Sequence, residues 1–338
     1  MYQYSLLRKL TPTDEQAITQ FLLTCPGFHY FQSPVFFNVC RSSERSEPFY
    51  VIARQENEIV GVLLAYRQLQ LGLPVVRFLS SRNLIIGGPV VAHNNAVITQ
   101  GLLDAYRTYG LKSLYTQVRN FQDTNSVQSV FEEAGFRYDD HLNILVDLTY
   151  PQDELWKQVH TKRRNEIRRA EKEGCTVVLN KNPEALTECY AILTEVYQRA
   201  KLPLPNYSHF DAIWQHSTDQ IGLRLFTAMW EGQIIGCVLC LACGDTLYDY
   251  YAGAYSRYYS KYPNDLLPWA VFMWGKENGF SWFDFGGAGK PDVPYGVRDY
   301  KKKFGGSFIN HGRYEKNHYP ALLAVANKLF TLWRAVKR

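Results

Sequence analysis

The sequence lacks any apolar run of the roughly 18 residues that a membrane-spanning helix requires. Its N-terminus, MYQYSLLRKLTPTDEQ, also lacks the apolar core and the small-residue cleavage site of a secretory signal. Charged residues make up only 20% of the 338 residues, whereas aromatic residues reach 15%, which is the opposite of the composition of a disordered chain. The net charge of +5 permits an anionic partner without requiring one. These features predict a folded cytoplasmic protein.

The sequence contains only seven cysteines, an odd number. Cys237, Cys240 and Cys243 have the two-residue gaps of a metal motif. On a strand, however, this spacing places Cys240 on the face opposite to the other two, and no histidine or second cysteine pair lies nearby in the sequence. We therefore expect small buried apolar side chains, with no disulfide and no metal.

The two halves of the chain repeat one pattern. VIARQENEIVGVLL (51–64) and FTAMWEGQIIGCVL (226–239) each indicate two short strands joined by a polar turn. Three pairs of positions match at one constant offset: Ala53 with Ala228, Ile59 with Ile234, and Gly61 with Gly236. The repeat predicts two structurally related domains.

The segments after each hairpin follow the same order. In the first half, the strands VVRFLS, SLYTQVRN and NILVDLT alternate with two helical patterns. In the second half, the strand TLYDYYAGAY, the helix NDLLPWAVFMWGKENGF and the strand SWFDFGG follow the hairpin. The pattern predicts mixed α/β domains at residues 1–150 and 151–318, with a boundary near Tyr150-Pro151, and a C-terminal helix at 319–338.

The C-terminal segment has the pattern of an amphipathic helix. Its apolar stripe consists of Leu322, Val325, Ala326, Leu329, Trp333 and Val336, and four basic side chains accompany it. Such a helix packs against another domain, or it lies on an anionic membrane surface. Peripheral membrane contact through 320–338 is therefore one of two expectations.

A basic segment contains one arginine in an apolar context. Leu155, Val159, Arg163 and Ile167 recur every four residues, so Arg163 lies on the apolar stripe of a helix. A guanidinium group there has to meet an anion, either a carboxylate of the core or a phosphate or carboxylate of a substrate. Lys162 and its basic neighbours lie on the other faces, where they are solvated or attract tRNA or a nucleotide-sugar phosphate.

A hairpin followed by strand, helix and strand is similar to the core of the GNAT acyltransferase fold. Two such domains in tandem resemble the Fem-type (FemABX-like) aminoacyltransferases that build peptidoglycan cross-bridges. Four stretches carry the resemblance: LWKQVHTKRRNEIRRAEKEGCTVV, AKLPLPNYSHF, the YYAG strand with the following helix and WFDFGG, and GVRDYKKKFGG. The last is close to the family's Gly-x-x-x-Phe-Lys-x-x-Phe-Gly, with Tyr300 in place of the first phenylalanine.

The resemblance implies roles for two residues. Lys301 matches the motif lysine that the family associates with the acyl donor and the tetrahedral intermediate, although it is also one of three consecutive lysines before a turn. A cation beside the attacked carbonyl stabilises the oxyanion that forms there. Tyr251 matches the family's Tyr-x-Gly position, and its alternative role is packing against the next helix.

Two aspartates lie on the strands between which a GNAT acyl donor enters. Strict alternation places Asp249 on the same face as Tyr251. Asp284 ends a strand, where it serves as a general base or holds the Gly286-Gly287 turn.

The donor prediction depends on a missing loop. CoA-dependent GNAT enzymes hold the pyrophosphate on a glycine-rich loop, whereas SRYYSKYPNDLLPW (256–269) contains no glycine. Asn264 or Ser260 is available to cap the following helix. The absence favours a bulkier donor, aminoacyl-tRNA, over acyl-CoA.

We therefore predict an acyltransferase with no bound cofactor. It transfers an aminoacyl group to an amine of a cell-envelope precursor, on the peptidoglycan pathway that the resemblance implies. One alternative is a CoA-dependent N-acyltransferase that acts on an amino sugar of a cell-surface polysaccharide. Another is a non-catalytic tandem module that binds RNA or a protein partner.

Overall fold

The computed structural model describes residues 1–69, 78 and 80–324 and contains two compact units. The first unit is Met1–Asp140 together with the chain from His311 onwards, and the second is His141–Asn310. These limits differ from the expected boundary at Tyr150-Pro151 and from the expected end of the second domain at 318. The reason is strand pairing, because two strands join sheets outside the domains in which the sequence pattern placed them.

The first unit is a mixed sheet with helices. Its strands are β1 (Gln3–Leu7), β2 (Ser46–Gln55), β3 (Glu58–Leu69), β4 (Ser81–Ile86), β5 (Val90–Val91), β6 (Tyr115–Arg119), β7 (Arg137–Asp139) and β15 (Arg313–Asn317). Its helices are α1 (Pro12–Thr24), α2 (Pro34–Ser42), α3 (Ala96–Tyr109) and α4 (Gln128–Glu133). The strand order is β1-β2-β3-β4-β6-β15-β7, with β5 paired to β3 and with β4 parallel to β6. The late strand β15 thus lies between two strands of the first half of the chain.

The second unit repeats this architecture. Its strands are β8 (Leu142–Asp147), β9 (Thr176–Asn180), β10 (Gly222–Trp230), β11 (Gln233–Cys243), β12 (Thr246–Ala254), β13 (Trp282–Gly287) and β14 (Ser307–Asn310). Its helices are α5 (Gln152–Gln158), α6 (Thr161–Lys172), α7 (Pro183–Ala200), α8 (Tyr207–His216), α9 (Pro263–Glu277) and α10 (Gly296–Lys302). The strand order is β14-β8-β13-β12-β11-β10-β9, and only the β12–β13 pair is parallel in this described sheet.

Both hairpins of the sequence repeat are confirmed. The turn between β2 and β3 has positive φ at Glu56 (50°) and Asn57 (73°), and the turn between β10 and β11 has positive φ at Glu231 (48°) and Gly232 (75°). Two consecutive residues with positive φ are the mark of a type I′ turn, whose twist matches that of antiparallel strands. The repeat in the sequence is therefore also a repeat in the local backbone.

The structure refines one sequence expectation, and two others fall mostly outside the residues that it describes. The basic segment forms two helices, because the extended backbone at Val159 ends α5 and the His160 side chain accepts a hydrogen bond from the Lys162 amide at the start of α6. Most of the expected strand VVRFLS and the expected helix beyond residue 324 lie outside the described residues. Within the described ranges, no helix combines the length and the hydropathy needed to cross a bilayer.

The core of the second unit lies between the sheet and α9. Phe283 and Phe285 on β13 pack against Phe272 of α9, with ring centroids 5.0 and 5.8 Å apart. Cys237, Cys240 and Cys243 are buried on β11, as expected for small apolar side chains. This packing holds α9 across β12 and β13, the two strands that frame the candidate site.

Candidate active site

A cleft opens where β12 and β13 separate. The two strands pair at Thr246–Trp282, Leu247–Phe283 and Tyr248–Asp284, and they make no further ladder pairs although β12 continues to Ala254. The cleft holds about 340 Å³ of empty space, part of it open to solvent. It is lined by Cys237, Val238, Asp249, Ala252, Asn264, Leu267, Pro268, Phe283, Phe285 and Tyr300. The splayed parallel strands of a GNAT core are therefore present, and three of the candidate residues lie at the same opening.

A bulge in β12 separates Tyr251 from Asp249. Tyr251 pairs with Leu239 and Asp249 pairs with Cys240, so Tyr250 is an extra residue between them. The bulge reverses the alternation, and the expectation that Tyr251 and Asp249 share a face is wrong. Asp249 lines the cleft under α9, whereas Tyr251 packs on the other side of the sheet.

Tyr251 occupies an aromatic cluster formed with α7 and α8. Its ring lies 5.6 Å from that of Tyr197 and 4.9 Å from that of Phe210. Gly253 faces α7, and a Cβ atom at this position would lie 2.8 Å from a methyl carbon of Val196. The Tyr-x-Gly signature thus corresponds to close helix–sheet packing in this chain, although Tyr251 packs on α7 and α8, which precede β12, and not on the next helix as its alternative role expected.

Lys301 extends from α10 to the open end of β13. Its ammonium group donates a hydrogen bond to the carbonyl oxygen of Phe285 and another, of 3.3 Å, to that of Gly287. The side chain is half-buried rather than freely solvated. A cation is therefore held beside the splayed edge, where a GNAT domain presents the acyl carbonyl.

Two carboxyl groups share an electrostatic environment with Lys301. Burial raises the pKa of Asp284 to about 6, against the opposing effects of a 2.6 Å hydrogen bond from the Gly286 amide and of the Lys301 charge. Burial likewise raises the pKa of Asp249, and Lys301 again opposes the shift. We refer to these three side chains as the Asp249–Asp284–Lys301 cluster. Desolvation is the largest effect at both aspartates. Each therefore has a higher pKa than an exposed carboxylate and binds a proton more readily near neutral pH.

Asp284 is held by the turn that follows it. It accepts hydrogen bonds from the Gly286 amide and, at 3.4 Å, from the Asn143 side chain. Phe283 and Phe285 on either side of it line the cleft, whereas Asp284 does not. The structure therefore places Asp284 where it orients the turn, and it places Asp249 at the cavity itself.

Tyr300 and Asn264 close one side of the cleft. The Tyr300 hydroxyl donates a hydrogen bond to the Asn264 carbonyl oxygen, which joins α10 to the first turn of α9. The Tyr300 ring packs against Phe304 at 5.3 Å, and the Arg163 guanidinium lies 5.4 Å from its centre. Tyrosine in place of the motif's phenylalanine thus adds a link between two helices.

Arg163 meets a carboxylate of the protein itself. Its guanidinium group forms an ion pair with Asp265 in the first turn of α9 and a second, of 2.9 Å, with Glu166. The side chains of Arg163 and Asp265 are 16% and 7% exposed, so the pair is nearly removed from water. Lys162, at 68% exposure, lies 3.9 Å from Glu166 and is not among the cleft residues. Of the two anions considered for Arg163, a core carboxylate or a substrate group, the structure shows the core carboxylate.

A partly exposed aromatic and cationic surface directly precedes α9, which contributes to the cleft, and sequence reasoning did not identify it. It follows β12 and includes a 3₁₀ turn at Ser256–Lys261, directly before α9. Guanidinium groups lie over tyrosine rings at 4.0 to 5.3 Å, and an ammonium group lies 4.3 Å from an indole ring. This tyrosine–arginine surface consists of Arg169, Arg199, Trp230, Tyr255, Arg257, Tyr258, Tyr259, Lys261 and Tyr262. The run SRYYSKY was the available signal, because it interleaves basic and aromatic residues.

Comparison with known proteins agrees with this geometry. Residues 157–302 match the family model described as an acetyltransferase (GNAT) domain. The match spans α6 to α10 and includes both strands that frame the cleft, so this part of the chain is a GNAT acyltransferase domain. Among curated proteins, no sequence matches the chain.

Solved structures match nearly the whole chain. FemX superposes with a TM-score of 0.72 at 15% identity, covering 95% of this chain and 99% of that one. The C-terminal domain assigned to a lysylphosphatidylglycerol synthetase of Agrobacterium fabrum gives 0.58 at 14% identity, with 93% and 94% covered. A tandem GNAT protein of the clavulanic acid biosynthesis pathway gives 0.57 at 10% identity, with 93% and 98% covered. The expected tandem GNAT-like fold, similar to that of the Fem-type proteins, is confirmed.

Proposed function

We propose that this GNAT acyltransferase transfers an aminoacyl group from aminoacyl-tRNA to an amine of a peptidoglycan precursor. The observation that carries the proposal is the tyrosine–arginine surface at the entrance to α9. A CoA-dependent GNAT domain holds its pyrophosphate there on glycine-rich backbone, but this segment has no glycine and presents side chains instead. Aromatic rings with adjacent arginines are suited to stack nucleobases and to contact backbone phosphates.

The cleft suits amide formation from an ester donor. The acceptor amine attacks the acyl carbonyl, a new C–N bond forms, and the C–O bond to the terminal ribose breaks. Lys301 stabilises the oxyanion of the tetrahedral intermediate, because two backbone carbonyl oxygens hold its ammonium group at the strand opening and leave the third N–H for the substrate. Asp249 accepts the proton that the amine loses and returns it to the ribose oxygen, which leaves as a hydroxyl group.

The acceptor is proposed from the fold and the motif together. The GVRDYKKKFGG stretch resembles the Fem-type motif and forms α10 and the turn after it, which carry Lys301 and Tyr300 to the cleft. The similarity to FemX over almost the whole chain supports this choice. A second neighbour is assigned to a synthetase whose name describes an aminoacylated lipid, which supports aminoacyl transfer more generally.

One rival function is favoured by a specific comparison. The tandem GNAT protein of the clavulanic acid pathway, which shares the fold over nearly the whole chain, is described as solved without acetyl-CoA. The rival for this chain is CoA-dependent acylation of an amino sugar on a cell-surface polysaccharide. The two functions differ in the donor, so one assay separates them.

The test is a transfer assay with two labelled donor pools, mixed aminoacyl-tRNAs and acyl-CoAs. The acceptor is an extract of nucleotide-linked and lipid-linked wall precursors whose presence has been verified. Label that moves from tRNA alone supports the proposal and identifies the amino acid. Label that moves from CoA alone overturns it in favour of the rival. Transfer from neither pool favours a non-catalytic binding module.

Cytoplasmic location and peripheral membrane contact remain part of this proposal. The basic residues of the proposed membrane helix lie beyond residue 324, outside the described part of the chain. Co-sedimentation with anionic vesicles, using the full chain and a form that ends at Pro320, tests the contact. Binding of the full chain alone supports it, and binding of neither form ends it.

A further inference from the structure

A separate cleft lies in the first unit, far along the sequence from the acyltransferase motifs. It is formed by the end of α3, the loop that follows, the residues after α4, and β15 with the residues beyond it. Its volume is about 190 Å³, below the roughly 300–1,000 Å³ of clefts that enclose a drug-sized ligand, so it has room for a small ligand or for one end of a larger one. Because β15 comes from the end of the chain, the two sides of the cleft are distant in sequence but joined by one sheet.

Positive charge predominates in this cleft. Arg107, Lys112 and Lys316 line it, and Asp104 is the one acidic residue among its lining residues. Asp104 is already engaged by Arg107 at 3.2 Å. Lys316 donates a hydrogen bond to the Ala134 carbonyl oxygen and lies 5.7 Å from the centre of the Phe136 ring. Burial and the nearby Arg107 guanidinium lower the pKa of Lys316 and Asp104 opposes the shift, so three cations share a single carboxylate among the residues that line the cleft.

A buried hydrogen-bond chain positions a histidine at the same cleft. Asn83 donates to the Tyr106 hydroxyl at 2.8 Å, and Tyr106 is 2.6 Å from the Thr116 hydroxyl. Thr116 in turn is 2.7 Å from Nε2 of His318. If each hydroxyl donates one proton along the chain, Nε2 of His318 is the acceptor and Nδ1 carries the ring proton. His318 then offers an N–H donor beside the half-buried ammonium group of Lys316.

We propose that this cleft binds a small organic phosphate. Phosphate oxygens accept several charge-assisted hydrogen bonds at once, which matches flexible cations arranged around one space. The rings of Tyr106, Phe136 and Tyr319 line the same space and suit an apolar or flat organic body. The cleft is a site of the first unit, and its assignment is independent of the donor and the acceptor proposed above.

The test is calorimetric titration of the full chain with four probes: ADP, UDP, adenosine and inorganic phosphate. We expect saturable binding of a nucleoside diphosphate, weaker binding of inorganic phosphate and none of adenosine. Arg107→Gln and Lys316→Gln should each weaken the binding by about tenfold, since each removes a charged donor. Lys9→Gln, at an exposed position outside the cleft, removes the same charge and should leave the affinity unchanged.

Each of the other outcomes is informative. Arg107 is 67% exposed, so its variant is expected to fold even if loss of the Lys316 contact proves destabilising. Absence of binding by every phosphate probe overturns the proposal, as does equal affinity in the Arg107→Gln and Lys9→Gln variants. Equal affinity for inorganic phosphate and the diphosphates overturns the role of the organic body. Adenosine binding as tight as ADP binding overturns the role of the charges.

Discussion

The ammonium group of Lys301 donates a hydrogen bond to the carbonyl oxygen of Phe285, at the point where β13 leaves β12. Where β13 separates from β12, its backbone loses its hydrogen-bond partners on the β12 side. The Lys301 side chain from α10 supplies a replacement donor there. The lysine is thereby fixed beside the cleft by the same splay that opens the cleft. Its position follows from hydrogen-bond satisfaction as well as from the chemistry proposed for it.

Replacing Lys301 by alanine tests the proposed oxyanion contact. We expect turnover to fall by about two orders of magnitude or more, as when one preorganised donor is lost. The measurement is the steady-state rate with the donor identified in the two-pool assay. Lys302→Gln is the matched control, because Lys302 is exposed on the same helix and should retain its activity. Full activity of Lys301→Ala would remove Lys301 from the mechanism.

Replacing Asp284 by asparagine tests the cost of its buried charge. The pKa of Asp284 in the folded state, about 6, lies above its unfolded value, so folding favours the protonated form. The free energy of unfolding should therefore rise by about 2 kcal/mol from this residue as pH falls from 7.5 to 4.5, because the rest of the gain lies below pH 4.5. Asp284→Asn should lose this component.

Guanidinium unfolding followed by tryptophan fluorescence measures this effect in the second unit, which contains six of the seven tryptophans. Asp292→Asn serves as control, because Asp292 is an exposed carboxylate of the same unit. A pH dependence that is identical in wild type and Asp284→Asn contradicts the assignment.

Two substitutions at Tyr300 separate its hydroxyl from its ring. Tyr300→Phe removes the hydrogen bond to the Asn264 carbonyl, so we expect about 1 kcal/mol less stability and activity within a few-fold of wild type. Tyr300→Ala also removes the wall of the cleft and the ring beneath Arg163, so the KM for the donor should rise. Equal KM values for the two variants would show that the ring does not shape the donor site.

The Arg163–Asp265 pair should be strongly coupled. Arg163→Met leaves a buried carboxylate without its main partner, so we expect a loss of about 3 kcal/mol in the free energy of unfolding. The double variant Arg163→Met/Asp265→Leu should cost less than the sum of the two single variants. Denaturant unfolding of all four proteins completes the cycle, and strictly additive values would contradict a buried pair.

Changes in the tyrosine–arginine surface should weaken donor binding and leave the rate of the chemical step unchanged. Arg257→Gln combined with Tyr259→Leu removes one guanidinium group and one exposed ring from the approach to α9. We expect the KM for aminoacyl-tRNA to increase at least tenfold, with kcat preserved. A control with Arg137→Gln, exposed in the first unit, should leave both parameters unchanged. A fall in kcat alone would assign these residues to the reaction instead of to donor binding.

The sequence predicted the fold where its signals were local. The two hairpins, the α9 helix and the strand WFDFGG follow from turn residues and periodicity, and the repeat indicated that the pattern occurs twice. The pairings of β8 and β15 were not predictable in this way, because adjacent sequence does not determine which sheet a short strand joins. Their placement depends on hydrogen bonds between residues as far apart as Thr116 and Lys316.

The candidate site was predictable in part. Motif resemblance selected Lys301 and Tyr300, and strand position selected Asp249, all of which lie at or beside one opening. Asn264 was expected as a helix cap, but Tyr262 holds the N-cap position without a side-chain hydrogen bond, and Asn264 lines the cleft instead. The prediction of which sheet face Tyr251 occupies was wrong, because a one-residue bulge has no signature in the sequence. Arg163 illustrates another limit, since periodicity showed that an anion was needed there but could not identify it as Asp265.

The late strand β15 also constrains the order in which the chain acquires its structure during synthesis. It is inserted between β6 and β7, so the first unit lacks an interior strand of its sheet until residues 313–317 have left the ribosome. The second unit has all its strands by Asn310 and is therefore the first to be complete. A released chain that ends at residue 310 should contain a protease-resistant C-terminal unit and an N-terminal unit that is still cleaved.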